Sequence, residues 1–249
     1  MRRLRGVWLG RKAYDPVHRL QHELREARKA GRIGDTVLFV EHEPVVTLGR
    51  GSKAQHLLVP REVFEARGIA VSEAGRGGDV TLHAPGQLVC YPILDLAPDR
   101  CDVRRYVRDL TEAMRRLARD WGVEAGPIQE YVGLWADAAN PKRWTGRERA
   151  EAPAKLGAIG VAISRWVTMH GFALNLSTDL ELFRLIVPCG IGEFGVTSIR
   201  ALTGVAPEPL AAARSALRVL AEVFGAELER DLESEPIGHD QHVAEWRAV

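Results

Sequence analysis

Lysine is nearly missing from this chain. Its 249 residues carry 34 basic side chains, but only five are lysines, at positions 12, 29, 53, 142 and 155. Cysteine is scarce as well, and three thiols in a chain this long make no disulfide framework. No apolar run approaches the roughly 18 residues of a membrane span. The N-terminus MRRLRGVWLGRK has an apolar centre of only Val7, Trp8 and Leu9, too short for the core of a signal peptide. An excess of charge of one sign is also lacking, and a net charge of +1 gives no general case for a nucleic-acid partner. Repeats are absent. These absences point to a cytoplasmic, reducing setting with free thiols, and to neither a membrane nor a nucleic acid as partner.

What is there reads as an ordinary soluble globule, 46% hydrophobic and 27% charged. One domain is expected over 1–226, with its motif-bearing core at about 36–200 and a charged, unpatterned, weakly ordered tail over 227–249. A helix is predicted from Asp15 as N-cap, with Pro16 at its first position and Gly31 at its C-terminal cap. A second runs over 103–121 behind the cap Asp102, with the stripe Val103, Val107, Leu110, Met114, Leu117 and Trp121. A short helix is expected over 179–185 and a last one over 208–224. Strands are predicted at 36–42, 44–49, 79–83, 88–96, 131–135, 156–163 and 171–176. The turn Ala84-Pro85-Gly86-Gln87 joins the third and fourth, and 137–154 reads as a long polar loop. Strands with helices interspersed imply an α/β (α+β) fold with a mixed sheet and peripheral helices.

The chemistry starts from Lys155, in the apolar, glycine-rich run APAKLGAIGV. In so arginine-biased a chain, a lysine there is worth more than its charge, because an amine can give up and take back a proton where a guanidinium cannot. A thiol needs such a neighbour: at an ordinary pKa of about 8.5 only a few per cent is thiolate near neutrality. Of the three thiols, Cys90 lies in an apolar strand and reads as core. Cys101 precedes a helix beside Arg100, Arg104 and Arg105 and reads as a surface thiol, although such neighbours favour thiolate. Cys189 stands between Pro188 and Gly190 in VPCGIGEFG, the composition of a sharp, open turn. Such a turn exposes the sulfur and leaves backbone N–H groups free to stabilise an oxyanion. From composition alone, nucleophile and structural turn stand as equal readings. The glycines of GRGGDVTLHAPGQ (75–87) let a ligand lie against the main chain, and Arg76 adds a fixed cation; a structural hairpin is the bland alternative. His170 reads first as a structural residue. Zinc on Cys189, His83 and His170 lacks ligand-like spacing, and His239 and His242 read as solvated.

Taken together, three blocks resemble the lipoyl(octanoyl) transferase family. They are Arg76-Gly77-Gly78-Asp79-Val80-Thr81-Leu82-His83 with Ala84-Pro85-Gly86-Gln87, then Lys155 to Gly160, then His170 to Asn175 leading to Pro188-Cys189-Gly190-Ile191. They fall in the family's order over roughly residues 14–225. Ala84 departs from it, since the family usually has glycine there, and the methyl matters only if that position needs a positive φ. The resemblance implies the biotin/lipoate protein ligase-like fold and no cofactor or metal. It implies transfer of an octanoyl group from acyl carrier protein to a lysine of lipoyl domains, in 2-oxoacid dehydrogenase complexes and the glycine cleavage H protein. It implies Cys189 as acyl-thioester nucleophile and Lys155 as the residue that activates it and shuttles protons. Arg76 to His83, Ala158-Ile159-Gly160 and Gly171-Phe172-Ala173 would be the acyl-binding walls, with His170 in support. ATP-dependent lipoate or biotin ligases and a lipoyl amidotransferase are the rival activities on this fold.

Overall fold

The structure, a computed structural model, describes residues 2–234. In chain order the elements begin with strand β1 (Arg2–Lys12), helix α1 (Tyr14–Lys29), β2 (Asp35–His42), β3 (Val45–Leu48), α2 (Arg61–Ala66), β4 (Ala70–Glu73), β5 (Thr81–His83) and β6 (Gln87–Ile93). Then come α3 (Val103–Asp120), β7 (Ala125–Ile128), β8 (Tyr131–Asp137), β9 (Pro153–Ser164), β10 (Val167–Asn175) and β11 (Gly195–Val196). The last are α4 (Ile199–Thr203), α5 (Pro209–Phe224), β12 (Ala226–Leu228) and β13 (Glu233–Ser234). Among the described residues no helix is long and apolar enough to cross a membrane.

Most strands form one mixed sheet in the order β12-β1-β2-β6-β10-β9-β8-β7, with β11 added on β9 and β13 on β1. Strand alternation gives the sheet two apolar faces. Leu4, Phe39, Leu88, Cys90, Phe172 and Leu174 pack under α3 and α5. Val7, Leu9, Leu38, Val40, Val89 and Met169 pack under α1. A second sheet, β4-β3-β5, has a core of its own around Val46, Phe64, Val80, Leu82 and Ile186. Mixed pairing with peripheral helices is the α/β (α+β) architecture that the sequence pattern implies; the second sheet is not part of that reading.

Several local expectations change. The arginine-rich N-terminus is a strand: Leu4, Val7 and Leu9 alternate into the two cores, Arg3 and Arg11 lie exposed, and Arg2 pairs with Asp35 at 2.8 Å. The N-cap of α1 is Ala13, and Asp15 sits in the first turn, where its carboxylate accepts the Ser72 hydroxyl at 2.7 Å. Asp102 does cap α3, accepting the Arg105 N–H at 3.0 Å, but Val103 faces solvent. The segments around Ala84–Gln87 make no hairpin. β5 pairs with β3 and β6 with β2 and β10, so this turn carries the chain from one sheet to the other. Its positive φ falls on Gly86 (82°), and Ala84, with an ordinary φ, packs into the small sheet's core. The 179–185 segment is a 3-10 helix, Leu180–Leu185. The long loop over 138–152 is held from within by Asp137, whose carboxylate accepts the N–H groups of Ala139, Glu151 and Ala152. The start of the expected tail is ordered: Ala226–Leu228 and Glu233–Ser234 pair with edge strand β1, because backbone pairing needs no apolar pattern. Residues 235–249, with His239 and His242, lie outside the described residues.

Candidate active site

Lys155 and Cys189 meet. The Lys155 ammonium donates to Cys189 Sγ at 3.0 Å. The fold brings them together through β11, which follows the cysteine turn by a few residues and pairs Val196 with Lys155 on β9. The Thr197 N–H to the Lys155 carbonyl, 2.9 Å, closes that return. Lys155 is buried, and its ammonium also lies 5.3 Å from the centre of the Trp135 ring. Among the described residues Sγ is its one hydrogen-bond partner. A buried cation is costly without a polar partner, and Cys189 Sγ is the partner at hand.

Cys189 sits on a 3-10 turn, Pro188–Gly190, with φ 57° and ψ 19°. A non-glycine residue in the left-handed region stores strain and is uncommon away from functional turns. The N–H groups at the turn itself, from Cys189 to Ile191, are already taken. The Cys189 N–H donates to Val80 O at 2.8 Å, Gly190 to Val187 O and Ile191 to Pro188 O, both at 3.0 Å. A tight turn satisfies its own donors, so an oxyanion at Cys189 must draw on other groups, of which the Lys155 ammonium is nearest in the bonding pattern. Downstream, an aromatic clasp fixes the loop. The Arg147 guanidinium lies over Tyr131 and Phe194 and pairs with Glu193 at 3.3 Å, the Tyr131 hydroxyl donates to Glu193, and Phe194 meets Trp135 edge-on.

From Cys189 a slot with mostly apolar walls runs between the two sheets. The large sheet supplies Ala158, Ile159, Gly160, Gly171, Phe172 and Ala173; the other side supplies Arg76, Gly78, Asp79, Thr81 and His83. The block 76–83 lines it only in part. Successive strand residues point to opposite faces, so Val80 and Leu82 turn into the small sheet's core. Gly77 also lies off the slot and ties its N–H to Val161 O at 2.9 Å. Arg76 is a structural pin. Its guanidinium donates to the carbonyls of Asp79 and Thr47, both at 2.7 Å, and to the Thr47 hydroxyl at 2.8 Å. Gly160 lets this loop lie on β9, since a Cβ there would come 2.9 Å from Arg76 Cδ and 3.1 Å from Gly77 O.

The far end of the slot is a buried nest of rings: Tyr14, Tyr91, His83 and His170, with His18 and His42 behind them. The His170 backbone is left-handed (φ 59°), which swings its ring toward α1, 5.3 Å from His18; its N–H donates to Gln21 Oε1 at 3.0 Å. Burial pushes His83 down to about 3 and His42 to about 4, and pushes His170 well below its ordinary value, with His18 and Arg76 adding to the shift. His83 is further occupied by Gln87 Oε1 at 2.7 Å. These rings are neutral scaffolding near pH 7. Among the described residues no cluster of three or more His, Cys, Asp or Glu side chains has metal-binding geometry.

Sequence reading missed His56, Tyr14, Tyr91, Trp135 and Phe194. Tyr14 opens α1, one residue before the cap the sequence predicts, and nothing in the helical pattern marks it as a slot residue. His56 stands in a loop without pattern, and its Nδ1 lies 2.5 Å from Asp79 Oδ2.

Comparison with known proteins gives the family and the fold. The family described as the lipoyl protein ligase A/B catalytic domain matches residues 14–223. An octanoyltransferase of Solibacter usitatus is 46% identical over 194 residues, 78% of this chain and 81% of that protein. One from Myxococcus xanthus is 47% identical over 192 residues, 77% of this chain, and the match spans about half (51%) of that longer protein. Among solved structures, a bipartite lipoate protein ligase of Thermoplasma acidophilum superposes with a TM-score of 0.68 at 16% identity, covering 95% of this chain and 89% of that one. The fold is therefore that of the biotin/lipoate protein ligases. On the strength of the relatives that it matches over most of both lengths, the chain belongs to the lipoyl protein ligase A/B catalytic-domain family, among its octanoyltransferases.

Proposed function

We propose that the chain moves an octanoyl group from acyl carrier protein to a lysine of lipoyl domains, through a thioester on Cys189. The acceptors are the lipoyl domains of 2-oxoacid dehydrogenase complexes and the glycine cleavage H protein. The observation that carries this reading is the 3.0 Å contact between the Lys155 ammonium and Cys189 Sγ at the mouth of an apolar slot. The pair exchanges one proton between thiol–amine and thiolate–ammonium. The thiolate attacks the donor thioester, and the ammonium returns the proton to the departing thiol. Val89, Ile159, Phe172 and Ala173 give the alkyl chain an apolar bed. Burying most of an octanoyl tail is worth roughly 5 kcal/mol at about 0.8 kcal/mol per methylene. Thioester to thioester to amide needs no ATP. A ligase of this fold passes through an adenylate and has no need of a catalytic thiol, so the placement of Cys189 favours transfer. The test is transfer to a purified lipoyl domain from octanoyl-acyl carrier protein, with and without ATP. Equal, ATP-independent octanoylation is expected. Modification that requires ATP and free octanoate would point to ligation, and modification from octanoylated H protein but not from acyl carrier protein to an amidotransferase.

A further inference from the structure

The cysteine turn is also held by His56. This residue ends a 3-10 turn, Ala54–His56, and its carbonyl accepts the Val187 N–H at 2.8 Å, two residues before Cys189. Its ring is fixed by Asp79. Nδ1 lies 2.5 Å from Asp79 Oδ2, while Oδ1 of the same carboxylate accepts the Val80 N–H at 2.7 Å. A carboxylate only accepts, so Nδ1–H is the donor and Nε2 of the neutral ring keeps a free lone pair. Among the described residues Nε2 has no protein partner, and the side chain is 14% exposed. The ring lies against the cysteine turn itself. A Cβ on Gly190 would come 2.7 Å from Asp79 Oδ2 and 3.2 Å from His56 Cε1.

The proton count of the reaction leaves room for such a group. The argument rests on Cys189 being the acyl carrier. In the first half-reaction the thiolate attacks, the donor C–S bond breaks, and Lys155 gives its proton to the departing thiolate. Lys155 is then a neutral amine. The acceptor lysine arrives as an ammonium with three N–H bonds, and the amide keeps one. Two protons must leave as the C–N bond forms and the C–S bond to Cys189 breaks with its electron pair on Sγ. Lys155 takes one and again faces a thiolate. We propose that His56, oriented by Asp79, is the base that takes the other and then releases it to solvent. The two half-reactions thus use different proton acceptors.

The test separates the halves. Enzyme is loaded with octanoyl-acyl carrier protein, the adduct is followed by intact mass, and a lipoyl domain is added in a single turnover. In His56→Gln the loading rate should stay within about threefold of the parent, while loss of the adduct to the lysine should slow about 100-fold, the scale of a general base. Its rate should rise about tenfold per pH unit, because only acceptor already deprotonated can react. Hydroxylamine, neutral near pH 7, should discharge the variant at close to the parent rate. Asp79→Asn should give discharge to lysine the same steep rise with pH. Parent-like discharge to lysine, or an equal loss in both halves and with hydroxylamine, would overturn the role and leave His56 as scaffolding. Failure of the parent to form any adduct on Cys189 would instead sink the thioester reading.

Discussion

Cys90 and Cys189 are the same side chain in opposite surroundings. Cys90 lies in the middle of β6, paired with Phe39 on one side and Phe172 on the other, fully buried, and burial alone holds its thiol well above the ordinary range. Cys189 stands on a left-handed turn at the mouth of a slot, with an ammonium 3.0 Å from its sulfur. A strand gives sulfur packing; a strained turn gives it an opening onto a slot and an ammonium neighbour. The surroundings of a thiol here follow from the backbone that presents it.

The largest way to break that contrast is Cys189→Ala. Transfer should fall by more than about 10⁴-fold, as loss of a nucleophile does, while a urea melt should place folding stability within about 1 kcal/mol of the parent. Normal turnover would remove the nucleophile. Next is Lys155→Arg, which keeps the charge and removes the proton acceptor. Initial rates should drop about 10²–10⁴-fold, and a rate near the parent's would reduce Lys155 to an electrostatic partner.

The buried side of the comparison should show in acid. Folded His42 and His83 hold protons less readily than the unfolded chain does, at about 4 and about 3. Their contribution to stability is complete above the unfolded value of about 6.5 and is lost as pH falls toward those values. Each should cost about 2 kcal/mol by pH 5 relative to pH 7, read as a fall in the denaturation midpoint. A flat profile from pH 7 to 5 would mean the slot floor is wet. The smallest effect is expected of Cys90→Ser, which puts a hydroxyl in a dry strand. It should cost about 1–3 kcal/mol of stability and leave the turnover of folded enzyme within about twofold.

The chemistry was more legible than the frame around it. Lys155 stood out because lysine is rare in this chain, and Cys189 because proline and glycine flank it. Asp102 announced α3 by cap chemistry. What stayed hidden had physical reasons. Five basic side chains concealed β1, because the apolar alternation of an edge-side strand survives in only three or four residues. The β9–β10 hairpin turns through Arg165 and Trp166, both with positive φ, where Asn or Gly would have signalled it. Two adjoining strands fell into different sheets, which no local pattern can show. His56 gains its meaning only from Asp79, 23 residues away, across a contact between loops.

The most direct measurement is the mass of the enzyme after mixing with octanoyl-acyl carrier protein, followed by peptide mapping. The account predicts one added octanoyl group, on the peptide that carries Cys189, discharged when a lipoyl domain is supplied. An unmodified Cys189 under conditions where the lipoyl domain is being octanoylated would contradict it.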